Sequence, residues 1–416
     1  MSPHTRRRRT VARHGQLRTP GPLGQLMKFI AIGLAVVLVS GAAVASYVFY
    51  DLASTVSANA VDLEGQKELP PDIGAYEGGF NLVLTGVDTC EEAYKDYFGK
   101  RCTGKDAEGT LNDVNLLVHV SDAPRRVTVV SFPRDMMVPI PSCEDAEGNV
   151  HSAMSKQPLN VAYTDAGLNC VVKTISDLTE QDVQFAAAVT FGGVIEITNA
   201  IGGVDVCLAT PIRDKNTGLN LDAGNHTVAG LQALQFLRTR YGVGDGSDLG
   251  RIGNQQQYMS NLAKKLISGE TLGNVPVMLK LATTAIDNLE PSTSLADPMK
   301  IVQIALALKS VKYEDIVFLQ YPTATDPNNT NKVVPNRAAA QEMWDAINSN
   351  AQLQVTHENT DNDGVVVTDP GTATETPVDP STTPDPSGTP ENVVALPNTI
   401  KGTSAAQTVC SNGRQR

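Results

Sequence analysis

The sequence predicts an α/β protein, with a central mixed β-sheet flanked by helices, behind a single N-terminal transmembrane helix. Three observations support this fold class. Short apolar runs rich in β-branched residues recur along the chain, as in buried strands. Runs with helical spacing alternate with them, which favours a sheet covered by helices. Before all of these, residues 29–50 carry no charge and are long enough to cross a bilayer.

The N-terminal segment predicts the orientation in the membrane. Its cations are Arg6, Arg7, Arg8, Arg9, Arg13, Arg18 and Lys28, with no acid among them. Because cytoplasmic flanks are rich in Lys and Arg, residues 1–28 are predicted to be a basic cytoplasmic segment and the chain after Asp51 to be extracellular. Ala43, Val44 and Ala45 resemble a signal-peptide cleavage site, but the apolar run exceeds a usual signal core. An uncleaved, single-pass anchor in the cell membrane is therefore favoured.

Charge and composition divide the outer portion. Without the seven N-terminal cations, the formal charge of −12 becomes −19, which argues against a nucleic-acid partner. Residues 51–78 are predicted to be a juxtamembrane spacer and residues 79–350 one extracellular domain. In residues 351–416, Pro, Thr, Asp, Ser and Gly dominate, which predicts a disordered tail that regains order-like composition only around Cys410.

Within residues 79–350, runs of strand and helix character alternate. Six apolar runs are predicted to be strands: Phe80–Leu84, Val114–Val120, Val127–Phe132, Val183–Val189, Val204–Leu208 and Ile316–Leu319. Seven runs are predicted to be helices: Val171–Leu178, Gly193–Ala200, Leu231–Phe236, Arg251–Ile267, Val277–Leu289, Pro298–Leu308 and Arg337–Ile347. This order of elements is what predicts the central mixed sheet.

All six cysteines lie in the outer portion, where disulfides can form. The predicted pairs are Cys90 with Cys102, Cys143 with Cys170, and Cys207 with Cys410. Six cysteines can pair in many ways, so other pairings stay open. The cysteines and histidines lack the spacing of a zinc site.

Residues 236–257 concentrate arginine and glycine. Arg238, Arg240 and Arg251 flank a glycine-rich loop. Glycine lets the backbone approach a ligand closely, and guanidinium groups match phosphate oxygens two at a time. Asp248 is predicted to cap a helix that starts near Leu249, which would aim backbone N–H groups at the same place. The stretch predicts an anion site suited to pyrophosphate, with a plain arginine-bearing surface as the alternative.

Polar residues also lie at the ends of three predicted strands. Asp88 follows the first strand and Asp113 precedes the second. Arg134 and Asp135 follow the third. Ligands bind α/β sheets at strand ends, and two carboxylates can hold a Mg²⁺ that also contacts phosphate. Taken singly, each residue is as well explained by a turn or a surface ion pair.

Together these fragments resemble a known family. NLVLTGVD, NDVNLLVHV, VTVVSFPRDMMVPIP, LNVAYTDAG, IGGVDVCL, AGNHTVAGLQALQFLRTR and DGSDLGRIGNQQQ occur in this order. Over about residues 79–266 the chain resembles the LytR-CpsA-Psr family of cell-wall glycopolymer ligases, in its actinobacterial form. The resemblance implies a sheet flanked by helices, with an apolar pocket for a polyprenyl chain. It also implies a Mg²⁺-supported phosphotransferase that moves a glycopolymer from a polyprenyl-pyrophosphate carrier to peptidoglycan.

The resemblance implies a role for each site residue. Asp88 and Asp113 match the metal-binding aspartates. The positions that match the pyrophosphate clamp are Arg134, Arg238, Arg240, Arg251 and Gln255. Asp135 and Asp248 match acids of the family motifs without an implied role, and with Arg134 they form the predicted catalytic set. Either of the two aspartates in that set would take the proton of an attacking muramic-acid hydroxyl.

Two positions depart from the family pattern. Thr89 and Asn254 stand where the family often has arginine. This predicts either a lower affinity for phosphate or compensation by other residues such as Arg101 or Lys105. The sequence leaves open a polyprenyl-pyrophosphate pyrophosphatase and a non-catalytic binder of lipid-linked cell-wall precursors. A transcription regulator is disfavoured, because the 28 cytoplasmic residues contain no helix-turn-helix pattern.

Overall fold

The computed structural model describes residues 60–64, 79–98, 110–268, 287–296, 298–357, 363–369 and 393–414, with a few isolated positions besides. The chain divides into two units, Met1–Asp51 and Leu52–Arg416, and the elements below belong to the second. The predicted segment 1–28, the predicted anchor 29–50 and most of the spacer 51–78 lie outside the described residues. Among the residues that are described, no helix has the length and apolarity to cross a membrane.

The elements follow one another in a mixed order of strands and helices. The strands are β1 (Phe80–Val87), β2 (Asn112–Val120), β3 (Val127–Phe132), β4 (Met137–Ile140), β5 (Cys143–Glu144), β6 (Val150–His151), β7 (Met154–Pro158), β8 (Phe185–Thr190), β9 (Val204–Leu208), β10 (Ile212–Asp214), β11 (Leu219–Leu221), β12 (Gly224–Val228), β13 (Leu289–Pro291), β14 (Ile316–Gln320), β15 (Thr323–Asp326), β16 (Asn329–Pro335), β17 (Gln352–Val355), β18 (Val365–Asp369), β19 (Val393–Leu396), β20 (Gly402–Ser404) and β21 (Thr408–Ser411). The helices are α1 (Lys95–Phe98), α2 (Ala162–Thr179), α3 (Phe191–Ala200), α4 (Gly230–Arg238), α5 (Asp248–Ile267), α6 (Pro298–Leu308) and α7 (Arg337–Asn348).

A seven-stranded mixed sheet forms the centre, in the order β13-β8-β1-β2-β3-β14-β20. Strands β1, β2 and β3 are antiparallel neighbours, whereas β8 and β14 run parallel to β1 and β3. Gly86 pairs with Val114, and Asn115 pairs with Phe132. The end of β1, the start of β2 and the end of β3 therefore meet at one edge of the sheet. The predicted central mixed sheet is confirmed.

The two faces of this sheet are covered differently. On one face, α2 and α7 pack against a core that contains Val83, Leu117 and Val130, each 0% exposed. We call this the closed face. On the other face, α5 and α6 cover a second core. There the mid-strand side chains Leu82, Leu84, Val114 and Val118 are only partly buried, and we call this the open face.

The segments after residue 350 belong to the fold, so the predicted boundary there is wrong. Strand β20 pairs with β14 and is the outermost strand on that side of the central sheet. Strand β21 pairs with β18 and joins β9 in a four-stranded sheet with β12. A disordered tail is therefore contradicted for residues 351–357, 363–369 and 393–414, while residues 370–392 lie outside the described residues. These strands are short and find their partners far away in sequence, so composition alone did not reveal them.

The remaining element predictions hold with shifted ends. The six predicted strands and the helices at α2 to α7 are present, and α2 begins at Ala162, nine residues before the prediction. The helix predicted at Val277–Leu289 falls largely outside the described residues, and Leu289 begins β13. All three predicted disulfides are confirmed, with S–S distances of 2.02–2.05 Å.

Candidate active site

The charged residues singled out in the sequence come together at the sheet edge where β1 ends and β2 begins. Arg134 follows β3 and contacts three aspartates of this cluster. Its Nη1 donates to Asp113 Oδ1 at 2.7 Å. Its Nε lies 3.4 Å from Asp248 Oδ1 and 3.9 Å from Asp135 Oδ2. One guanidinium thus links the start of β2 to the start of α5.

Arg251 is the most deeply buried arginine of the cluster, with 4% exposure. Its Nη2 lies 2.7 Å from Asp248 Oδ1 and donates to the Asp113 backbone carbonyl at 3.0 Å. Burial lowers the pKa of Arg251, while Asp248 and Asp113 counteract that effect. Arginine has so high a pKa that the guanidinium stays charged.

The helix that carries Arg251 begins at Asp248, three residues before the predicted bound at Arg251 and one before the start predicted near Leu249. Ser247, not Asp248, is the N-cap of α5, and its hydroxyl accepts from the Gly250 amide. Asp248 is the first helical residue, where the helix dipole favours a negative charge. Because Ser247 does the capping, the Asp248 carboxylate is left to contact Arg134 and Arg251.

Arg238 ends α4 and is held by two aromatic rings. Its guanidinium carbon lies 4.5 Å from the Phe191 ring centre and 5.4 Å from that of Phe98, within the range of cation–π attraction. Burial lowers the pKa of Arg238, and the charges of Asp113 and Asp88 oppose that shift. Phe98 comes from the insert closed by Cys90 and Cys102. Neither ring was predicted, because nothing local in the sequence marks an aromatic residue as an arginine partner.

Arg240 lies toward the outer rim of the cluster. Its Nε donates to the Gly246 carbonyl at 3.2 Å, and its Nη1 lies 4.0 Å from Asp135 Oδ2. Lys332 on β16 donates to Asp135 Oδ1 at 2.5 Å and was also missed by the sequence analysis. Burial raises the pKa of Asp135, but Lys332, Arg134 and Arg240 outweigh it, so the pKa lies below its ordinary value.

Asp88 and Asp113 lie at the same edge, where β1 ends and β2 begins. Asp88 Oδ1 accepts from the Leu111 amide at 2.7 Å, two residues before Asp113 on the chain. Within the described residues no group of three or more His, Cys, Asp or Glu could hold a metal ion. Two carboxylates beside arginines suit a Mg²⁺ that shares phosphate oxygens with the protein, rather than a cage made only of protein ligands.

Gln255 and Asn254 contact the end of α4. Gln255 Nε2 donates to the Leu237 carbonyl at 2.9 Å, and Asn254 Nδ2 donates to the Phe236 carbonyl at 2.7 Å. They satisfy carbonyls at a helix end, where backbone acceptors otherwise lack partners. Gln255 thus positions the helix that carries Arg238, and its predicted contact with pyrophosphate stays a prediction.

Several buried charged atoms of the cluster lack hydrogen bonds to the described residues. They are Arg134 Nε, both carboxylate oxygens of Asp248, and Arg251 Nε. Asp248 Oδ1 lies 2.7 Å from Arg251 Nη2, but the angles of this contact are not those of a hydrogen bond. Such atoms are costly to bury, and a bound water, ion or ligand would satisfy them.

The cluster also lies at one end of the open face. Val114, an open-face side chain, follows Asp113 directly, and Leu84 lies four residues before Asp88. A ligand with an anionic head and an apolar chain would match both surfaces. Fold and site together define an α/β protein with a partly buried cluster of arginines and aspartates at the edge of its sheet.

A family model identifies the group to which this protein belongs. The LytR_cpsA_psr family model matches residues 46–349, which is most of the chain, so the chain belongs to the LytR-CpsA-Psr family. It is 26% identical to the cell wall biosynthesis protein LcpA of Corynebacterium glutamicum over 317 residues, 71% of this chain and 59% of that protein. The chain thus spans less than two thirds of that relative.

Two proteins of Bacillus subtilis are also similar. TagT, a polyisoprenyl-teichoic acid–peptidoglycan teichoic acid transferase, is 24% identical over 311 residues, 73% of this chain and 88% of that protein. The crystal structure of TagV aligns with a TM-score of 0.50 at 21% identity, covering 66% of this chain and 97% of that one. The likeness to TagV shows that the two share a fold.

Proposed function

We propose that this chain is a membrane-anchored phosphotransferase that moves a glycopolymer from a polyprenyl-pyrophosphate carrier to peptidoglycan. The observation that carries the proposal is the arginine cluster at the end of the open face. Family membership supports it, as does the transferase name of TagT. In this proposal residues 29–50 anchor the chain in the cell membrane, and the sheet lies on the outer side.

The open face provides the binding surface for the polyprenyl chain. Leu82, Leu84, Val114 and Val118 lie in mid-strand yet keep part of their surface exposed. Burying that apolar surface under a lipid chain is favourable by about 25 cal/mol per Å². A carrier whose chain lies along this face brings its pyrophosphate to Asp113 and the arginines.

The arginines neutralise charge on the pyrophosphate. Phosphoryl transfer needs positioning and charge stabilisation more than covalent catalysis. Arg134 and Arg251 are fixed by Asp113 and Asp248, and Arg238 by its two aromatic rings. Donors held in place before the reaction need little reorganisation as charge moves onto the leaving polyprenyl phosphate. Arg240 contributes from the outer rim.

The two aspartates at the sheet edge fit a magnesium ion that is bound together with the substrate. Asp88 and Asp113 would hold it, since both lie beside the arginines and offer carboxylate oxygens. When bound, Mg²⁺ would offset phosphate charge in addition to the guanidinium groups. Asp113 also fixes Arg134, so its carboxylate would serve both cations.

A carboxylate at the rim would accept the proton of the acceptor hydroxyl. The Asp135 side chain is 17% exposed, whereas that of Asp248 is 8% exposed and lies between two arginines. We therefore assign the role of proton acceptor to Asp135 and a positioning role to Asp248. The lowered pKa of Asp135 keeps it ionised at neutral pH, though it makes the group a weak base.

The test is a transfer assay with the full chain in detergent. The substrates are a labelled polyprenyl-pyrophosphate saccharide and peptidoglycan strands, with either magnesium or a chelator. We expect label in the peptidoglycan only with magnesium. Release of free labelled saccharide phosphate, with none in the peptidoglycan, would replace the proposal with a pyrophosphatase. Bound but uncleaved substrate would leave only a binder of lipid-linked precursors.

A further inference from the structure

Asn254 on α5 connects that helix to a distant segment of the chain. It is fully buried on α5. Its Nδ2 donates to the Phe236 carbonyl, and its Oδ1 accepts from the Ser411 hydroxyl at 2.5 Å. Asn254 therefore does not extend a cation into the site. It binds a segment that arrives from more than 150 residues further along the chain.

That segment, residues 411–414, lies along the glycine-rich loop between Arg240 and Arg251; we call it the return segment. Gly244 N donates to the Asn412 carbonyl at 3.1 Å, and Arg414 N donates to the Gly242 carbonyl at 2.9 Å. Between these bonds, Gly413 forms a bridge with Val243. The disulfide between Cys207 and Cys410 ties the segment down just before it reaches the loop.

The return segment places the Arg414 guanidinium against Gly246. A Cβ on Gly246 would lie 2.9 Å from Arg414 Nη1 and 3.3 Å from its Cζ. Gly246 also has a φ of +83°, which favours glycine. The carbonyl of the same glycine accepts from Arg240 Nε at 3.2 Å. Two guanidinium groups thus meet at one residue of the loop.

Among the described residues, Arg414 has no acidic partner that would explain its position. Within the part of the chain that the structure describes, Arg414 makes no ion pair, and its side chain is exposed. The ion pair between Arg240 and Asp135 is long, with 4.0 Å between Nη1 and Oδ2. Like charges repel, and an anion between two guanidinium groups removes that repulsion and accepts hydrogen bonds from both.

We infer that Arg414 binds the solvent-facing phosphate of the substrate together with Arg240. Asn254 holds the segment that delivers it. The inference rests on the proposed function, because it assigns another residue to the same pyrophosphate. Arg414 is a binding residue at the rim, separate from the buried arginines that Asp113 and Asp248 fix.

The test measures affinity and not turnover. Geranyl pyrophosphate is titrated calorimetrically into the full chain in detergent, for the wild type, Arg414→Gln, Arg414→Lys and the control Arg125→Gln. Arg125 lies in the turn between β2 and β3, at the opposite edge of the sheet. Removing one charged hydrogen-bond donor should weaken binding about ten-fold in Arg414→Gln. Arg414→Lys should recover most of that loss, and Arg125→Gln should bind as the wild type does.

Each other outcome has a clear meaning. If Arg414→Gln binds like the wild type, the inference is wrong and the proposed function stands. If Arg414→Gln and Arg414→Lys lose affinity equally and both melt earlier, Arg414 only supports the loop, and the inference is again wrong. If the wild type itself does not bind geranyl pyrophosphate, the inference falls together with the proposed function.

Discussion

The two faces of the central sheet are made from the same kinds of side chain but are packed to different extents. Val83 and Leu117 on the closed face are fully buried, and they pair with each other in adjacent strands. One residue along, Leu84 on the open face is only partly buried. Burial on the closed face stabilises the fold. On the open face Leu82, Leu84, Val114 and Val118 keep part of their surface accessible, although Leu116 on the same face is buried.

The covering helices cause this difference. Helices α2 and α7 bring large side chains such as Trp344 and Ile175 into the closed-face core. Helices α5 and α6 contribute Met259, Ile301 and Ile304 to the open-face core, all of them partly buried. Strand sequences alone therefore do not distinguish the two faces, because what covers each face is decided elsewhere in the chain.

The largest expected effect is a stability loss on the closed face. Leu117→Ala should lower the free energy of unfolding by about 2–5 kcal/mol, since the cavity forms where surrounding side chains cannot collapse. Urea unfolding followed by circular dichroism measures it. Leu84→Ala is the matched control on the neighbouring strand and should lose clearly less. Equal losses for the two leucines would remove the distinction between the faces.

The next effect concerns the site at the end of the open face. Arg238→Ala should lower transfer about 100-fold, since a pre-positioned charge donor is lost, while urea stability changes little. Arg238 is a cleaner test than Arg251, whose removal would leave Asp248 buried with one fewer partner. The initial rate of transfer measures the effect, with Arg125→Ala as the control. A rate within about two-fold of the wild type would exclude Arg238 from the clamp.

A smaller effect links pH to the closed side of the sheet. His119 lies two residues beyond Leu117 on β2, and burial lowers its pKa to about 4. The folded pKa lies below the unfolded value of about 6.5, so stability is full above that value and falls as the pH drops toward 4. Between about pH 7.5 and pH 5 the wild type should lose about 2 kcal/mol more than His119→Gln. Urea unfolding of both proteins at the two pH values measures this difference. An equal loss of unfolding free energy in the wild type and in His119→Gln would contradict the prediction.

The smallest effect tests the open face directly. Wild-type affinity should rise from geranyl to geranylgeranyl pyrophosphate, because the longer chain covers more of the face. Leu84→Ala should reduce that gain by about five-fold, the equivalent of about 1 kcal/mol of lost apolar contact. Calorimetric titration with both lipids measures it, and Leu117→Ala should keep the gain. An unchanged gain in Leu84→Ala would place the lipid chain elsewhere.

The sequence predicts the parts of the structure that local patterns encode. The buried strands, most helices and the three disulfides were readable from apolar runs and cysteine positions. The charged site residues were also found, because strand ends and a glycine-rich arginine stretch are local features. The structure brings Asp113, Arg134, Asp248 and Arg251 into mutual contact.

The rest depends on partners that are distant in sequence. Lys332 reaches Asp135 only because β16 lies beside the end of β3. Strand β20 is a three-residue polar run, and its pairing with β14 is what makes it a strand. Asp and Ser cap helices about equally well, so the sequence does not distinguish Asp248 from Ser247, one position earlier, as the N-cap. Local pattern does not resolve such choices.

The pairing of the return segment with the glycine-rich loop also sets a time order. A chain is made and folded from its N-terminus, so every arginine and aspartate of the cluster emerges long before Ser411 and Asn412. Until those residues arrive, Asn254 and Gly244 lack the partners that hold them in the finished protein. The return segment is therefore the last part of the site to be synthesised. A chain that stops before residue 411 carries the arginines and aspartates of the cluster but lacks the contacts of the return segment.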